Sequence, residues 1–315
     1  MPVMLQSCFT GIESTPKITS KDVRKANIQV SAEESFALKF ALDSFSRWQP
    51  GRQFVISDPK ASLTYLNSTR SLGTLSGDTL AVGDRLVFCG IRGVPSILGG
   101  NTAELVFVKQ PGLTDTLVYR PGAAVEAIRQ RDAYRLPFVV DLDIISRADH
   151  ELRGKELYTK TGRWLRLPTP GKTPGSSPEI TGRKFVKVTV DSVIPADENY
   201  FFAICFTSQE KPDEKGMLLM SPTVTDGTPA LRGFSNLFAL QNPRNSYPQI
   251  TDENWELIRQ GRLAPGMTSQ EVMLSLGSPS DIIRRPDQSI LYERWAYPGG
   301  VYLIFEDGIL TRYKL

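Results

Sequence analysis

The stretch APGMTSQEVMLSLGSPSD, residues 264–281, is a short helix with both of its ends written into it. Thr268 stands where a cap belongs, and Glu271 three residues later completes a Thr-Ser-Gln-Glu box, in which hydroxyl and carboxylate each satisfy an orphan amide. Val272, Met273 and Leu276 recur at the spacing of an inward face. Gly277 suits a left-handed C-terminal position and Pro279 forbids continuation. A helix of about nine residues is marginal in isolation, so caps and a docked sheet must hold it together.

Reading outward, Thr251 with Asp252 and Glu253 opens an earlier helix, with Trp255, Leu257 and Ile258 on its apolar side and Gly261 at its end. After residue 281 come three strand-like runs, LYERWAY, VYLIFED and ILTRYKL, joined across Pro298-Gly299-Gly300 and the hairpin signal Asp307-Gly308. The order is helix, helix, strand, strand, strand, in residues 246–315. Alternation puts Val301, Leu303, Phe305 and Leu310 on one face and Tyr302, Ile304, Ile309 and Tyr313 on the other, while the first strand adds Trp295 and Tyr297. A three-stranded sheet covered by helices normally leaves its second face polar; here both are apolar. Either a β module of the same chain packs there or a partner protein does, and Trp295, Tyr297, Tyr302 and Tyr313 are the candidate protein-binding residues.

The combination Gly266-Met267-Thr268, Leu276-Gly277-Ser278-Pro279, Trp295-Ala296-Tyr297 and Phe305-Glu306-Asp307-Gly308 resembles the SmpA/OmlA family of small outer-membrane lipoproteins, the BamE-like fold, and the related fold of β-lactamase inhibitory proteins. The resemblance covers residues 251–315. It implies a lipid-anchored envelope protein that binds or scaffolds another envelope protein or polymer without catalysis; its inhibitory side implies a secreted enzyme inhibitor as an alternative. Leu5-Gln6-Ser7-Cys8 in turn resembles a bacterial lipobox, which implies lipid attachment at Cys8 and outer-membrane localisation facing periplasm or surface. The residues before Cys8 supply neither a basic region nor an apolar run, so a start further upstream is expected. Residues 9–30, polar with Pro, Thr and Lys, suit a tether.

The middle of the chain changes period to two. Ser31-Ala-Glu-Glu34 reads as a capping box opening a helix of about four turns, with Ala37, Phe40, Ala41, Ser44, Phe45 and Trp48 on one face and Pro50-Gly51 as its stop. Then GRQFVISDP, TLAVGDRLVFCGI, TAELVFVKQP and DTLVYRPG read as strands, and LPFVVDLDII, GKELYTKTGRWLRL, GRKFVKVTVDSVI, NYFFAICFTS and KGMLLMSP repeat the pattern. GRQFVIS echoes GRKFVKV. The expected architecture is therefore mostly β: a tether over 1–30, a capped helix with a first β module over 31–136, a second β module over 137–245, and the ααβββ unit over 246–315. The modules are similar to bacterial SH3-like barrels. RLPTPGKTPGSSPEITG, residues 166–182, is a Pro-rich loop within the second, and residues 230–250 read as a packed connector.

Composition sets the outer bounds. A chain of 315 residues, 40% hydrophobic and 23% charged, has material for two or three cores. Its 37 basic and 34 acidic residues are scattered, leaving +3 and no basic stripe, which argues against nucleic acid as a partner. No run of about 18 apolar residues is present for a membrane-spanning helix.

Chemistry-bearing motifs are scarce. His150 is the only histidine and sits among charged residues, as a solvated side chain would. Gly171-Lys172-Thr173 ends like a phosphate loop, but Arg166 stands where its first glycine belongs and Pro174 follows it directly. Asp141 and Asp143, spaced by two on an expected strand, share one face and keep open a carboxylate-based glycan hydrolase. Cys89 and Cys205 are expected as small buried hydrophobes, with a disulfide between them left open. No cofactor or metal is expected.

Overall fold

The computed structural model describes residues 30–68, 80–95, 100–110, 116–169, 173–197, 199–223, 232–287 and 290–315. Met1–Ser31 and Ala32–Leu315 form separate units. Cys8 and the tether, together with Gly171 and Lys172, lie outside the described residues. The second unit is mostly β, built of several antiparallel sheets of which one curls into a half-barrel.

The first sheet contains β1 (Gln53–Val55), β2 (Leu66–Ser68), β3 (Arg85–Pro95), β4 (Asn101–Gln110), β5 (Thr116–Tyr119) and β6 (Val140–Asp141), in the order β2-β5-β4-β3-β1-β6. Phe54, Leu86, Phe88, Leu105, Phe107 and Leu117 form its core with Phe45 and Trp48. The register of β3 on β4 slips between Phe88 and Gly90, so Cys89 is the extra residue of a bulge. Alternation with the buried Leu86 and Phe88 turns the Cys89 thiol outward. Contrary to expectation it is exposed, whereas Cys205 is buried; both are free.

The second sheet contains β7 (Glu156–Thr159), β8 (Arg163–Leu165), β9 (Glu179–Thr181), β10 (Lys187–Pro195), β11 (Phe202–Ser208), β12 (Lys215–Met220) and β13 (Phe238–Ala239), ordered β13-β7-β10-β11-β12-β8-β9. The Pro-rich loop is more ordered than its composition implies: Glu179–Thr181 pairs with Arg163–Leu165, and Pro174 is buried.

Two helix assignments change. The segment expected as a four-turn helix is helical only over Ala32–Ala37, continues as a single 3₁₀ turn over Leu38–Phe40, and is extended at Ala41. Its apolar residues serve two cores: Ala37, Phe40 and Leu42 enter the second sheet's core, and Phe45 and Trp48 enter the first. One continuous helix offers one stripe, so the backbone breaks to face both ways. In LPFVVDLDII the expected strand stops at Asp141, and Leu142–Leu152 is a helix. Ile144, Ile145, Ala148 and Leu152 form its buried face. His150 lies on the opposite side of this helix, with its side chain 86% exposed.

The C-terminal sheet has four strands, β14 (Asp281–Asp287), β15 (Ile290–Ala296), β16 (Tyr302–Glu306) and β17 (Ile309–Lys314), in sequential order. β14 is additional to the three expected strands; its sequence DIIRRPD is charged and holds a proline, the composition of an edge. The two preceding helices, Asp252–Arg259 and Ser269–Leu276, start where the sequence places them.

Candidate interaction surface

The hydrogen bonds of the quoted stretch show how its punctuation works. Thr268 Oγ1 accepts from the Glu271 amide at 3.3 Å and Glu271 Oε2 accepts from the Thr268 amide at 2.7 Å. The other carboxylate oxygen of Glu271 accepts from Asn254 Nδ2 at 2.8 Å, so the capping residue also ties the two helices together. At the far end Gly277 has φ 89° and ψ −169°, backbone that is essentially reserved for glycine. The Lys184 ammonium, reaching over from the second sheet, donates to the last-turn carbonyls of Leu274 (3.1 Å) and Ser275. Burial lowers the pKa of this lysine.

These helices cover one face of the sheet. Trp295, Leu303, Phe305 and Leu310 are buried beneath them with Met267, Val272 and Ile258. Trp295 Nε1 donates to Glu293 at 2.7 Å, and Tyr297 Oη donates to the Gly277 carbonyl at 3.0 Å. Burial pushes the Tyr297 phenol up to about 12. Of the four aromatic residues expected to bind a partner, Trp295 and Tyr297 therefore serve the interior. The register explains why: Trp295 sits opposite Leu303, on the helix side.

The connector between β9 and β10 packs against the helices and not against the open sheet face. Phe185, held at φ 57°, stacks on Trp255 at 5.1 Å between ring centroids, Arg183 pairs with Glu256, and Lys184 reaches the helix end as above. The sheet's other face remains open. Tyr302, Ile309 and Tyr313 are exposed on it or at its rim, at 39%, 40% and 37%. A bulge between β16 and β17 changes one detail of the expected alternation: Arg312, not Thr311, stands opposite Ile304, and Tyr313 falls opposite Leu303. Tyr313 consequently wraps the edge, where its hydroxyl donates to the Leu263 carbonyl at 3.2 Å.

Two shallow depressions share Ile304. One of about 640 Å³ is lined by Pro265, Tyr302, Ile304, Arg312 and Tyr313; the other, about 180 Å³, by Ile283, Arg285, Tyr292, Glu293, Arg294 and Ile304. Arg285 and Arg294 were absent from the sequence-based candidates. Arg285 becomes visible once β14 is added and paired to β15, opposite Tyr292, and Arg294, on the expected strand LYERWAY, then stands opposite Ile283.

The carboxylate pair expected near residue 141 resolves differently. Asp141 is the N-cap of the helix Leu142–Leu152, accepting from the amides of Asp143 and Ile144 at 3.0 and 3.4 Å. It also accepts from Arg52 Nε at 2.7 Å, and Arg52 bridges onward to Asp43, which pairs with Arg147. Burial pushes the Asp141 carboxyl up to about 6 against the pull of that guanidinium. Asp143 is exposed. The two do not converge in a cleft, because a helix start separates side chains that a strand would have aligned. Among the described residues no group of His, Cys, Asp and Glu is placed to hold a metal ion.

No known family, curated protein or solved structure matches this chain. The geometry of the C-terminal sheet therefore carries the functional argument.

Proposed function

We propose that this chain is a non-catalytic cell-envelope protein, lipid-anchored at Cys8, whose C-terminal sheet binds or scaffolds another envelope protein. In this reading the C-terminal unit is BamE-like and the two preceding sheets are small SH3-like modules presenting it. One observation carries the binding role: a sheet already covered on one side by its own helices exposes Tyr302, Ile309 and Ile283 on the other, at about 40% each. Exposed aromatic residues such as Tyr302 are enriched among the anchors of protein interfaces.

The test compares two exposed positions on opposite sides of the same unit. A photo-crosslinking residue is placed at Tyr302 on the open sheet face, or at Met273, expected to face inward but 43% exposed on the helix side. In cells that make the chain, Tyr302 yields a defined adduct and Met273 does not. Equal adducts from both positions, or none from Tyr302, overturn the reading. Anchoring is tested separately: with the gene extended upstream, fatty-acid label enters the wild type and is lost in Cys8→Ala, and label that persists in the variant refutes the anchor.

A further inference from the structure

The open face is not only apolar. Register and alternation place Arg285, Arg294, Arg312 and Lys314 on it, all exposed, set among Ile283, Tyr292, Tyr302 and Ile304. The row Ile283–Arg294–Ile304–Arg312 crosses all four strands, alternating hydrocarbon and guanidinium. Among the residues whose side chains are described, two carboxylates, Asp281 and Glu306, share the face by the same alternation. Yet none of the four cations pairs with an acid among the described residues, whereas Arg284, on the opposite side of β14, binds Glu293 at 2.8 Å.

Building on the binding role above, we propose that this face receives an acidic protein segment that crosses the strands, its carboxylates meeting Arg285, Arg294 and Arg312 while its apolar side chains enter the two depressions beside Ile304.

Four features select this occupant. The charge asks for an anionic partner, and residues 1–29 of this chain are themselves net basic, with Lys17, Lys21, Arg24 and Lys25 against Glu13 and Asp22. Arginine outnumbers lysine three to one, and its planar fork matches a carboxylate where a lysine offers only a point charge. The smaller depression, about 180 Å³, is of side-chain size and the larger, about 640 Å³, has room for several residues; both border the guanidiniums, which suits alternating acidic and apolar residues. Finally, the edges resist strand addition: Pro286 removes a donor from β14, and the β17 edge is occupied where Gly266 donates to the Leu310 carbonyl and the Leu310 amide donates to Met267. A partner is therefore directed across the face.

The probe is a short fluorescent peptide alternating Glu with Leu, titrated by anisotropy against the chain, its Arg294→Glu/Arg312→Glu variant, and a control peptide with Lys for Glu. The acidic peptide saturates the wild type, binding weakens at least about tenfold in the variant and with added salt, and the basic peptide does not bind. The melting temperature of the variant stays near that of wild type, because neither arginine makes an ion pair among the described residues. Equal affinity for variant and wild type, or for both peptides, overturns the proposal. So does binding to phosphatidylglycerol vesicles in preference to the peptide, which would make the face a membrane surface. If the peptide fails while the Tyr302 crosslink forms, the acidic chemistry is wrong and the binding role stands; if both fail, both are wrong.

Discussion

The two faces of the C-terminal sheet are built from the same strands and differ in what they are for. Trp295, Leu303, Phe305 and Leu310 are nearly inaccessible and fit against two capped helices. Tyr302, Ile304 and Ile309, one residue out of phase, are left in contact with solvent among unpaired arginines. Period two separates them completely, so a single strand such as Tyr302–Glu306 carries folding on one side and recognition on the other. A hydrophobic residue therefore acquires its role from the neighbours its register gives it.

Substitutions should divide along that line. The largest effect is expected at Trp295→Ala, which empties a covered site and removes the indole donor from the Glu293 carboxylate, leaving it to Arg284 alone. Urea denaturation should show a loss of about 3–5 kcal/mol, and a loss below 1 kcal/mol would mean the two faces are less distinct than their burial. Gly277→Val follows, at about 1–3 kcal/mol from backbone strain alone, because nothing lies within 4 Å of the position its Cβ would take. Thr268→Ala should cost about 1 kcal/mol by removing one arm of the capping box.

A smaller effect on the covered face is set by pH. The Tyr297 phenol is raised to about 12 from the ordinary value near 10. Its contribution is complete below the ordinary value and disappears as pH rises through the folded one. Stability should therefore decline across that alkaline window, and Tyr297→Phe should flatten the decline; an unchanged slope would show that the phenol is not held as the Gly277 contact implies. The smallest change in stability belongs to the open face. Tyr302→Ser should shift unfolding by no more than about 0.5 kcal/mol while it weakens binding of the acidic peptide, read by the same anisotropy titration. A Tyr302→Ser melt as low as that of Trp295→Ala would erase the distinction between the faces.

Local signals were the most legible part of the sequence. The caps at Thr251 and Thr268, the stop at Gly277 and the Asp307-Gly308 hairpin each depend on residues within a few positions of one another, and all are formed. What failed required knowledge of distant partners. The strand expected over LPFVVDLDII runs four residues too far, through Ile145, because Val139, Val140 and Leu142 precede any visible helical period, and only the Asp141 cap, itself buried against Arg52, reveals the turn. The helix after Ser31 breaks because two separate cores claim its residues. β14 was missed because DIIRRPD is polar enough to be a loop until β15 pairs with it. The same omission hides Arg285, while Arg294 lies beside Trp295 on the expected strand LYERWAY without being singled out, so the sequence points to the aromatic half of the candidate surface and not to its charge.

The link between Lys184-Phe185 and the last two helices has a consequence for how the chain comes into being. Synthesis proceeds from the N-terminus, and domains generally fold as they emerge. The ammonium that covers the Leu274 and Ser275 carbonyls, and the ring that stacks on Trp255, are thus already in place on the second sheet when the helices they receive leave the ribosome. A marginal helix is met by its docking site at birth. A circularly permuted chain that begins at residue 246 would reverse that schedule, and should refold to the same end state while accumulating more aggregated product during translation.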